Sequence, residues 1–318
     1  MRKNNKSVYC ITAVVLIVSM FFSIMLPVAG QVNVQTVDID AWQPPENFVD
    51  PVTLKIQELR AQGLSDDEIT VELEKLNMGW YPETGATWIG KALTLEENSR
   101  MPNGILTGEQ AKNTVQTDTA LASVSRYAYM RTNGYSWTGI SAEMVCGSMS
   151  VSSGGTVRNY LCLQMGDLTG VSNWAEVVVT HNYGETYKWY TYDPDEGAWI
   201  LCGDKTTAST ATDTYVMMLD GTSDSSGYHY DIWINNKWYR RAHLPNLYVQ
   251  AGFQKEVYCD SGQFTNDVSN AVFYRCWLNN GQGWSYWTSN AQWSSSMPVR
   301  ESHLMGALSY NWQTWVQN

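Results

Sequence analysis

The spacing of apolar residues along the chain changes near residue 116. From about Gln116 onward, apolar and polar residues alternate with period two, in short runs separated by Gly, Asn, Asp and Ser. Asn235–Asn236, between two such runs, is typical of a two-residue hairpin turn. About ten short strands predict an all-β fold, an antiparallel β-sandwich of the lectin-like jelly-roll type. The predicted strands are GISAEMVCGSMSV, RNYLCLQMG, AEVVVTHNY, YKWYTYD, DTYVMMLDG, YHYDIWI, KWYRRAHL, QKEVYCD, AVFYRCWLN and GWSYWTS.

The preceding segment has a helical period instead. One helix is predicted over Asp50–Gly63, with Gly63 as the C-terminal capping signal. A second helix follows, because Ser65 and Glu68 form the pattern of a capping box. We expect Gly79 to end it and the stretch 80–102 to be a loop. The expected apolar stripes are Leu54, Ile56 and Leu59 in the first helix and Ile69, Leu73 and Leu76 in the second.

The first thirty residues have the pattern of a signal peptide. A basic start with Arg2, Lys3 and Lys6 precedes an apolar run from Cys10 to about Leu26, and small residues end the segment. An uncleaved membrane anchor is the alternative, because the run is long for a signal peptide and short for a spanning helix. Either interpretation predicts export, so we expect a secreted, extracellular protein with no membrane contact after cleavage.

These patterns predict three regions: a signal peptide over 1–30, a small helical segment over 31–115, and a β-sandwich domain over 116–318, to which the candidate catalytic residues below belong. A short acidic helical segment between a signal and a β domain is typical of a propeptide. A small N-terminal accessory domain is the alternative interpretation.

The chain is acidic, with 31 acidic against 20 basic residues and a formal net charge of −11. Three of the basic residues lie in the first thirty positions, so cleavage would leave a still more negative chain. Such a charge argues against nucleic acid and anionic membranes as partners. It is compatible with work at low pH, where carboxylates become protonated.

Five cysteines follow the signal segment, and export favours disulfides. No CxxC pair occurs and the chain has only four histidines, so we predict no zinc site and no cofactor. We favour a disulfide between Cys259 and Cys276, which flank a predicted hairpin. Cys146 and Cys162 flank another turn similarly, and Cys202 would then be left over.

Two glutamates on predicted strands are the candidate catalytic groups. Glu176 shares a strand face with Val178, and Glu256 shares one with Tyr258. If both faces line one concave sheet, repulsion and burial raise one pKa and leave the other low. The ionised carboxylate can then activate water while the protonated one donates to a leaving group. A surface glutamate on an exposed strand is the simpler alternative.

The two segments that carry these glutamates resemble those of a known peptidase family. NWAEVVVTHNYGETYKWYTYD and LPNLYVQAGFQKEVYCDSGQF are similar to the glutamate-bearing segments of the neprosin family of secreted glutamic peptidases. In the first neprosin segment a glutamate precedes a Tyr-Gly turn, as Glu176 does here. In the second a glutamate stands directly before Val-Tyr, as Glu256 does here. Fungal eqolisins are similar in outline, and LCLQMG offers Gln164 as the match to their glutamine.

The resemblance implies a sandwich with its active site on the concave sheet, a propeptide as an internal partner, and acid-favoured cleavage of polypeptides. Glu176 and Glu256 would be the catalytic pair, with Gln164 as a transition-state stabiliser. Aromatic residues flank both segments and would line a substrate groove, although core packing explains them equally well. These are Trp174, Trp189, Tyr190 and Tyr258.

Other functions have weaker patterns. No GxSxG nucleophile elbow occurs, and no cysteine has the flanking residues of a cysteine protease. A jelly-roll glycoside hydrolase with paired glutamates stays an alternative, although the ExDxxE strand of lectin-like glucanases is absent. A non-catalytic, lectin-like carbohydrate-binding protein is the third interpretation.

Overall fold

A computed structural model describes the backbone of most of the chain after residue 43. The described ranges are 44–98, 101, 124–150, 157–168, 173–182, 184–194, 197, 199–259, 267–287, 291–295, 301–305 and 312–316. The predicted signal peptide lies outside them. None of the helices in these ranges is long and apolar enough to cross a membrane.

Two antiparallel sheets make up the fold, which confirms the predicted β-sandwich. Sheet A has eleven strands in the described residues, ordered β1-β2-β13-β12-β11-β5-β15-β19-β18, with β6 and β16 also paired to β15. Sheet B has eight, ordered β17-β4-β14-β7-β8-β9-β10-β3. The strands are β1 Met78–Trp80, β2 Thr87–Ile89, β3 Lys91–Ala92, β4 Val124–Thr132, β5 Gly139–Val145, β6 Ser148–Ser150, β7 Val157–Gly166, β8 Trp174–Asn182, β9 Lys188–Tyr192, β10 Trp199–Asp204, β11 Thr212–Ser223, β12 Tyr228–Ile234, β13 Lys237–Leu244, β14 Gln250–Cys259, β15 Asp267–Asn279, β16 Trp284–Tyr286, β17 Ala291–Ser295, β18 Glu301–Met305 and β19 Trp312–Val316.

The main core fills the space between the sheets. Ala175, Val177 and Val179 of β8 point into it, as every second residue of a strand must. They belong to one buried cluster with residues of sheet A such as Met217 and Ile232. The residues of β8 between them therefore face outward from the sandwich, on the outer face of sheet B.

The alternating pattern predicts the central strands well. β12 and β13 have the predicted bounds, and Asn235 and Asn236 between them have φ of 50° and 63°. Both angles are in the left-handed region, which a type I′ hairpin turn requires. Several strands of weak alternation were not predicted, among them β4, β10 and β17–β19.

Two helices precede the sandwich, α1 Pro51–Ala61 and α2 Asp66–Glu74, and α3 Leu95–Asn98 is a single turn. The Ser65–Glu68 capping box is confirmed. The prediction for Gly79 is wrong, because α2 already ends at Glu74 and Gly79 lies within β1. A Cβ at Gly79 would lie 2.0 Å from the indole of Trp88, so glycine there makes room for that ring.

The segment around these helices contributes strands as well, although the stretch 80–102 was predicted to be a loop. The β1–β2 hairpin joins the edge of sheet A, where Trp88 and Thr87 pair with Arg240 and Arg241 of β13. Strand β3 then joins the edge of sheet B beside β10. The segment therefore extends both sheets. Whether it acts as a propeptide stays a prediction, as do the region boundaries.

A second buried cluster holds the helices against the outer face of sheet A. Leu73 and Ile69 of α2 are fully buried in it, together with Trp233 and Trp238 of the sheet. Leu54 and Leu76 do not join the predicted apolar stripes, since both are about half exposed, at 52% and 49%. The other buried members are Val52, Ile56, Leu59, Trp80 and Val216.

An ion pair links the start of α1 to the same sheet. Asp50 caps the helix by accepting a hydrogen bond from the Thr53 amide at 2.8 Å. Its other carboxylate oxygen lies 3.2 Å from the Arg241 guanidinium of β13. Because Asp50 is fully buried, loss of either partner would leave an uncompensated charge in the interior.

The predicted disulfides are not formed. Cys146, Cys162, Cys202 and Cys276 are all in the thiol form. Cys146 belongs to the core between the sheets, whereas Cys162 faces outward from sheet B, so a sheet separates them. Cys276 is on β15 of sheet A and Cys259 on β14 of sheet B, so the two do not flank one hairpin.

Candidate active site

The candidate site lies on the outer face of sheet B, where three neighbouring strands bring polar residues into register. Glu176 of β8 pairs with Gln164 of β7 on one side and with Tyr192 of β9 on the other. Gln164 in turn pairs with Gly252 of β14. Residues that pair directly across antiparallel strands share a face, so this row is continuous across four strands.

Glu176 is almost completely buried, with 4% of its surface exposed. Its Oε2 accepts hydrogen bonds from Gln164 Nε2 at 3.3 Å and from Trp174 Nε1 at 3.1 Å. Burial raises the pKa of Glu176 to about 7, against the lowering effect of hydrogen bonds from Trp174, Gln164 and Cys162. The carboxyl group is therefore able to hold or release a proton near neutral pH.

Aromatic rings adjoin this carboxyl group. The Trp174 and Tyr192 rings stack with their centroids 4.9 Å apart, and Tyr192 and Trp199 follow at 5.0 Å. Burial also raises the pKa of the Tyr192 phenol, and the nearby charges of Asp193 and Glu176 raise it further by smaller amounts. The rings exclude water from one side of Glu176, which accounts for its preference for the neutral form.

The N-terminal segment covers the next row of the same face. Val178 and Cys162 pair directly across β8 and β7, one row along from Glu176 and Gln164. They belong to a buried cluster that includes Met101 and, at its margin, Leu93. We call Lys91–Asn98 with Met101 the strap. Its Asn98 side chain donates to the Gly197 carbonyl and accepts from the Trp199 amide, at 2.8 and 2.9 Å.

Glu256 has the backbone register of the same face, two strands from Glu176. It pairs with Tyr160 of β7, whereas Glu176 pairs with Gln164, four residues away on that strand. This register separates the two backbone positions by about 13 Å along the strands and about 10 Å across them. The Glu256 side chain lies outside the described part of the structure, so the predicted contact between the two carboxylates stays a prediction.

The four predicted groove aromatics have different surroundings. Trp189 is in the core between the sheets, where its indole donates to the Tyr215 hydroxyl at 2.9 Å, so its assignment to a groove is wrong. Trp174 and Tyr190 are on the face of Glu176, and both are buried. Tyr258 has the backbone register of that face, and its side chain is outside the described residues.

Tyr192 and Trp199 were missed as candidate site residues. Alternation along KWYTY puts Tyr190 and Tyr192 on one face and Trp189 on the other, so the signal was present. Alternation does not show that Tyr192 pairs with Glu176, because that pairing depends on the register between β8 and β9. Within the described residues, no group of three metal-ligating side chains occurs.

Comparison with known proteins gives only distant structural likenesses. No family model and no curated protein matches the chain. A solved structure of Scytalido-glutamic peptidase with a peptide-based transition-state analogue is similar over 62% of this chain and 100% of its own, at 10% identity and TM-score 0.41. The Bacillus licheniformis β-glucanase covers 62% and 78% at 11% identity and TM-score 0.25. The carbohydrate-binding module CBM66 from Bacillus subtilis covers 48% and 74% at 14% identity and TM-score 0.22.

Proposed function

We propose that the chain is a secreted hydrolase of polypeptides, a glutamic endopeptidase with Glu176 as its general acid. One observation carries the proposal: Glu176 is buried among aromatic rings, accepts hydrogen bonds from Gln164 and Trp174, and has a pKa raised to about 7. A carboxyl group that keeps its proton at mildly acidic pH is suited to protonating a leaving group.

The reaction needs a second, ionised carboxylate, and Glu256 is the proposed one. A water molecule adds to the scissile carbonyl carbon and gives a proton to Glu256. Glu176 protonates the departing amide nitrogen, and the carbon–nitrogen bond breaks. Glu176 is then ionised and Glu256 protonated, so exchange with solvent restores both groups. Gln164 orients the Glu176 carboxyl through its side-chain amide.

The position of the strap supports a zymogen. Met101 and Leu93 belong to the cluster beside Glu176, on the face where a polypeptide would have to bind. A substrate could reach that face only after the strap leaves it, so activation includes displacement of the strap. N-terminal sequencing during incubation at mildly acidic pH tests this step. A fixed N-terminus in fully active protein would contradict it.

The pH dependence of cleavage of a denatured protein tests the catalytic assignment. We expect kcat/KM to fall as pH rises through about 7, because Glu176 then loses the proton that it must donate. Glu176→Gln should lose at least about 100-fold in kcat, which is the usual contribution of a general acid or base. Glu256→Gln should lower kcat at least as strongly, and its residual activity should lack the decline toward acidic pH that an ionised base causes.

A nearby exposed glutamate provides the control. Glu185 follows the same strand but is in the loop after it, where its side chain is 40% exposed and pairs with Lys188. Glu185→Gln should keep the wild-type pH profile. Equal activity of wild type and Glu176→Gln would refute the peptidase assignment.

A glycoside hydrolase is the second candidate, supported by the row of Trp174, Tyr192 and Trp199 beside the carboxyl group. Such rings stack on sugars as well as on peptide side chains. Release of sugar from xylan or glucan, lost in Glu176→Gln, would favour this candidate. Binding of either polysaccharide without turnover would favour a lectin-like protein.

A further inference from the structure

One buried methionine of the strap fills an apolar pocket beside Glu176. Met101 is 2% exposed, and it is the single buried side chain among the described residues of the strap. Its amide donates to the Asn98 carbonyl at 3.0 Å, and the Asn98 side chain is itself bonded to Gly197 and Trp199. A mostly exposed strap is thus anchored where it inserts one aliphatic side chain against the outer face of sheet B.

The walls of this pocket belong to the sandwich, so they remain when the strap leaves. Cys162, Val178, Tyr190 and Leu201 form one row across β7, β8, β9 and β10. Trp199 belongs to the same buried cluster as this row and Met101. We call these five sandwich residues the methionine pocket.

The methionine pocket adjoins the catalytic row directly. Val178 is two residues from Glu176 on β8, on the same face and about 7 Å along the strand. Cys162 is likewise two residues from Gln164 on β7, and its side chain is a hydrogen-bond partner of Glu176. A polypeptide extended along β8 covers the same distance with two residues. With its scissile bond at Glu176, it therefore places a side chain within two positions of that bond at the pocket.

The chemistry of the lining favours an uncharged, aliphatic occupant. No aspartate, glutamate, lysine, arginine or histidine is among the five residues. A charged or amide side chain placed there would lose its hydration without a partner to compensate for it. Methionine and leucine have nearly the same volume, so either side chain can take the place of Met101.

We infer that the methionine pocket is the subsite for a methionine or leucine side chain of the polypeptide substrate, and that Met101 occupies it in the zymogen in place of that side chain. This inference rests on the proposed peptidase function. Displacement of the strap empties the pocket, and burial of a substrate side chain there supplies binding energy next to the scissile bond.

Substrate profiling of the activated protein tests the subsite. The full chain is incubated at mildly acidic pH until its N-terminus no longer changes, and it then digests a denatured protein whose new termini are identified by mass spectrometry. We expect methionine and leucine to be enriched at one fixed position within two residues of the cleaved bonds. Two peptides that differ there only in methionine or glutamine, a polar side chain of similar length, should differ at least about tenfold in kcat/KM.

Variants of the pocket test whether Val178 sets this preference. Val178→Phe narrows the pocket and should reduce the methionine-to-glutamine ratio severalfold. Val178→Ala enlarges it and should move the preference from methionine toward phenylalanine. A ratio of two kcat/KM values does not depend on the fraction of folded protein, so partial misfolding cannot imitate either effect. Glu185→Gln, the exposed control, should keep the wild-type ratio.

Variants of the strap test the same contact from the other side. Met101→Ala should activate severalfold faster at mildly acidic pH, because the strap loses its buried side chain, yet the activated protein should keep the wild-type preference. Leu95→Ala is the matched control and should activate at the wild-type rate, since Leu95 is in the strap but 90% exposed.

The possible failures can be told apart. Equal cleavage of the methionine and glutamine peptides, or an unchanged ratio in both Val178 variants, would overturn the subsite and leave the peptidase assignment in place. Equal activation rates for Met101→Ala and Leu95→Ala would overturn the role of Met101 in the zymogen. Absence of any cleavage by the incubated chain would overturn the proposed function, and the subsite with it.

Discussion

At the scale of single residues, Glu176 shows how environment sets chemistry. Repulsion between two carboxylates, together with burial, was the expected reason for a raised pKa. The largest cause is burial, opposed by hydrogen bonds from Trp174, Gln164 and Cys162. A single glutamate on a strand thus acquires its property from the rings and amides that adjoining strands place around it.

The protonation of Glu176 should make stability depend on pH. Its pKa in the folded state, about 7, is above the ordinary 4.5, so its contribution is fully present below pH 4.5 and lost as pH rises through 7. Glu176→Gln cannot ionise. We expect it to be more stable than wild type at pH 8.5, by up to roughly 3 kcal/mol, and to differ little at pH 5.

Thermal unfolding of both proteins between pH 5 and 8.5 measures this difference. Glu185→Gln serves again as the exposed comparison and should show no growing gap above pH 7. If wild type and Glu176→Gln have parallel stability curves over this range, the carboxyl group of Glu176 is not held neutral by the fold.

At the scale of elements, glycine positions decide how the N-terminal segment passes from one sheet to the other. Gly90 stands between β2 of sheet A and β3 of sheet B, with φ of +136°. A Cβ there would lie 2.4 Å from the Leu201 carbonyl oxygen of β10. The close approach of two backbones is what lets the strap begin at this point.

Gly90→Ala should therefore destabilise the protein more than Gly203→Ala. Gly203 has the same φ of +136°, but a Cβ there meets nothing within 4 Å. The backbone strain of about 1–3 kcal/mol is common to both. The overlap with Leu201 should add about 1–3 kcal/mol in Gly90→Ala alone.

Chemical denaturation of the two variants measures the difference directly. Cleavage rates should diverge too, because the strap of Gly90→Ala is less firmly attached and a zymogen with a loose strap activates sooner. Identical unfolding midpoints for the two variants would show that the overlap between the added Cβ and Leu201 of β10 does not lower the free energy of unfolding.

At the scale of the whole molecule, the N-terminal segment and the sandwich share buried surface. The α1–α2 helices cover the outer face of sheet A, and the strap covers part of the outer face of sheet B. Removal of the whole segment would expose Trp233 and Trp238, which are now buried. We therefore expect helices and sandwich to unfold together.

Leu73→Ala tests this cooperativity. Leu73 is fully buried between α2 and the sheet, so its truncation should cost about 2–5 kcal/mol and lower the single transition of the whole chain. Leu76→Ala, three residues further on and 49% exposed, should change stability by less than about 0.5 kcal/mol.

Tryptophan fluorescence follows the sandwich and far-ultraviolet circular dichroism follows the helices in the same experiment. Coincident transitions for both probes in Leu73→Ala are expected. A separate, early loss of helix with an unshifted sandwich transition would show that the helices fold independently.

The local elements could be predicted from short stretches of sequence. Alternation predicted the strands β12 and β13, and the Asn-Asn pair predicted the turn between them. The capping box predicted the start of α2. Each of these features depends on neighbouring residues alone. The sequence also marked Glu176 and Gln164 as residues of interest. Which strands lie side by side, and in what register, became clear from the folded chain alone. That register brings Gln164, Trp174 and Tyr192 to Glu176, sends Trp189 into the core, and keeps Cys146 and Cys162 on different sides of a sheet. Contacts between residues far apart in the chain depend on how the two sheets bury their apolar faces together, and no short stretch of sequence carries that information.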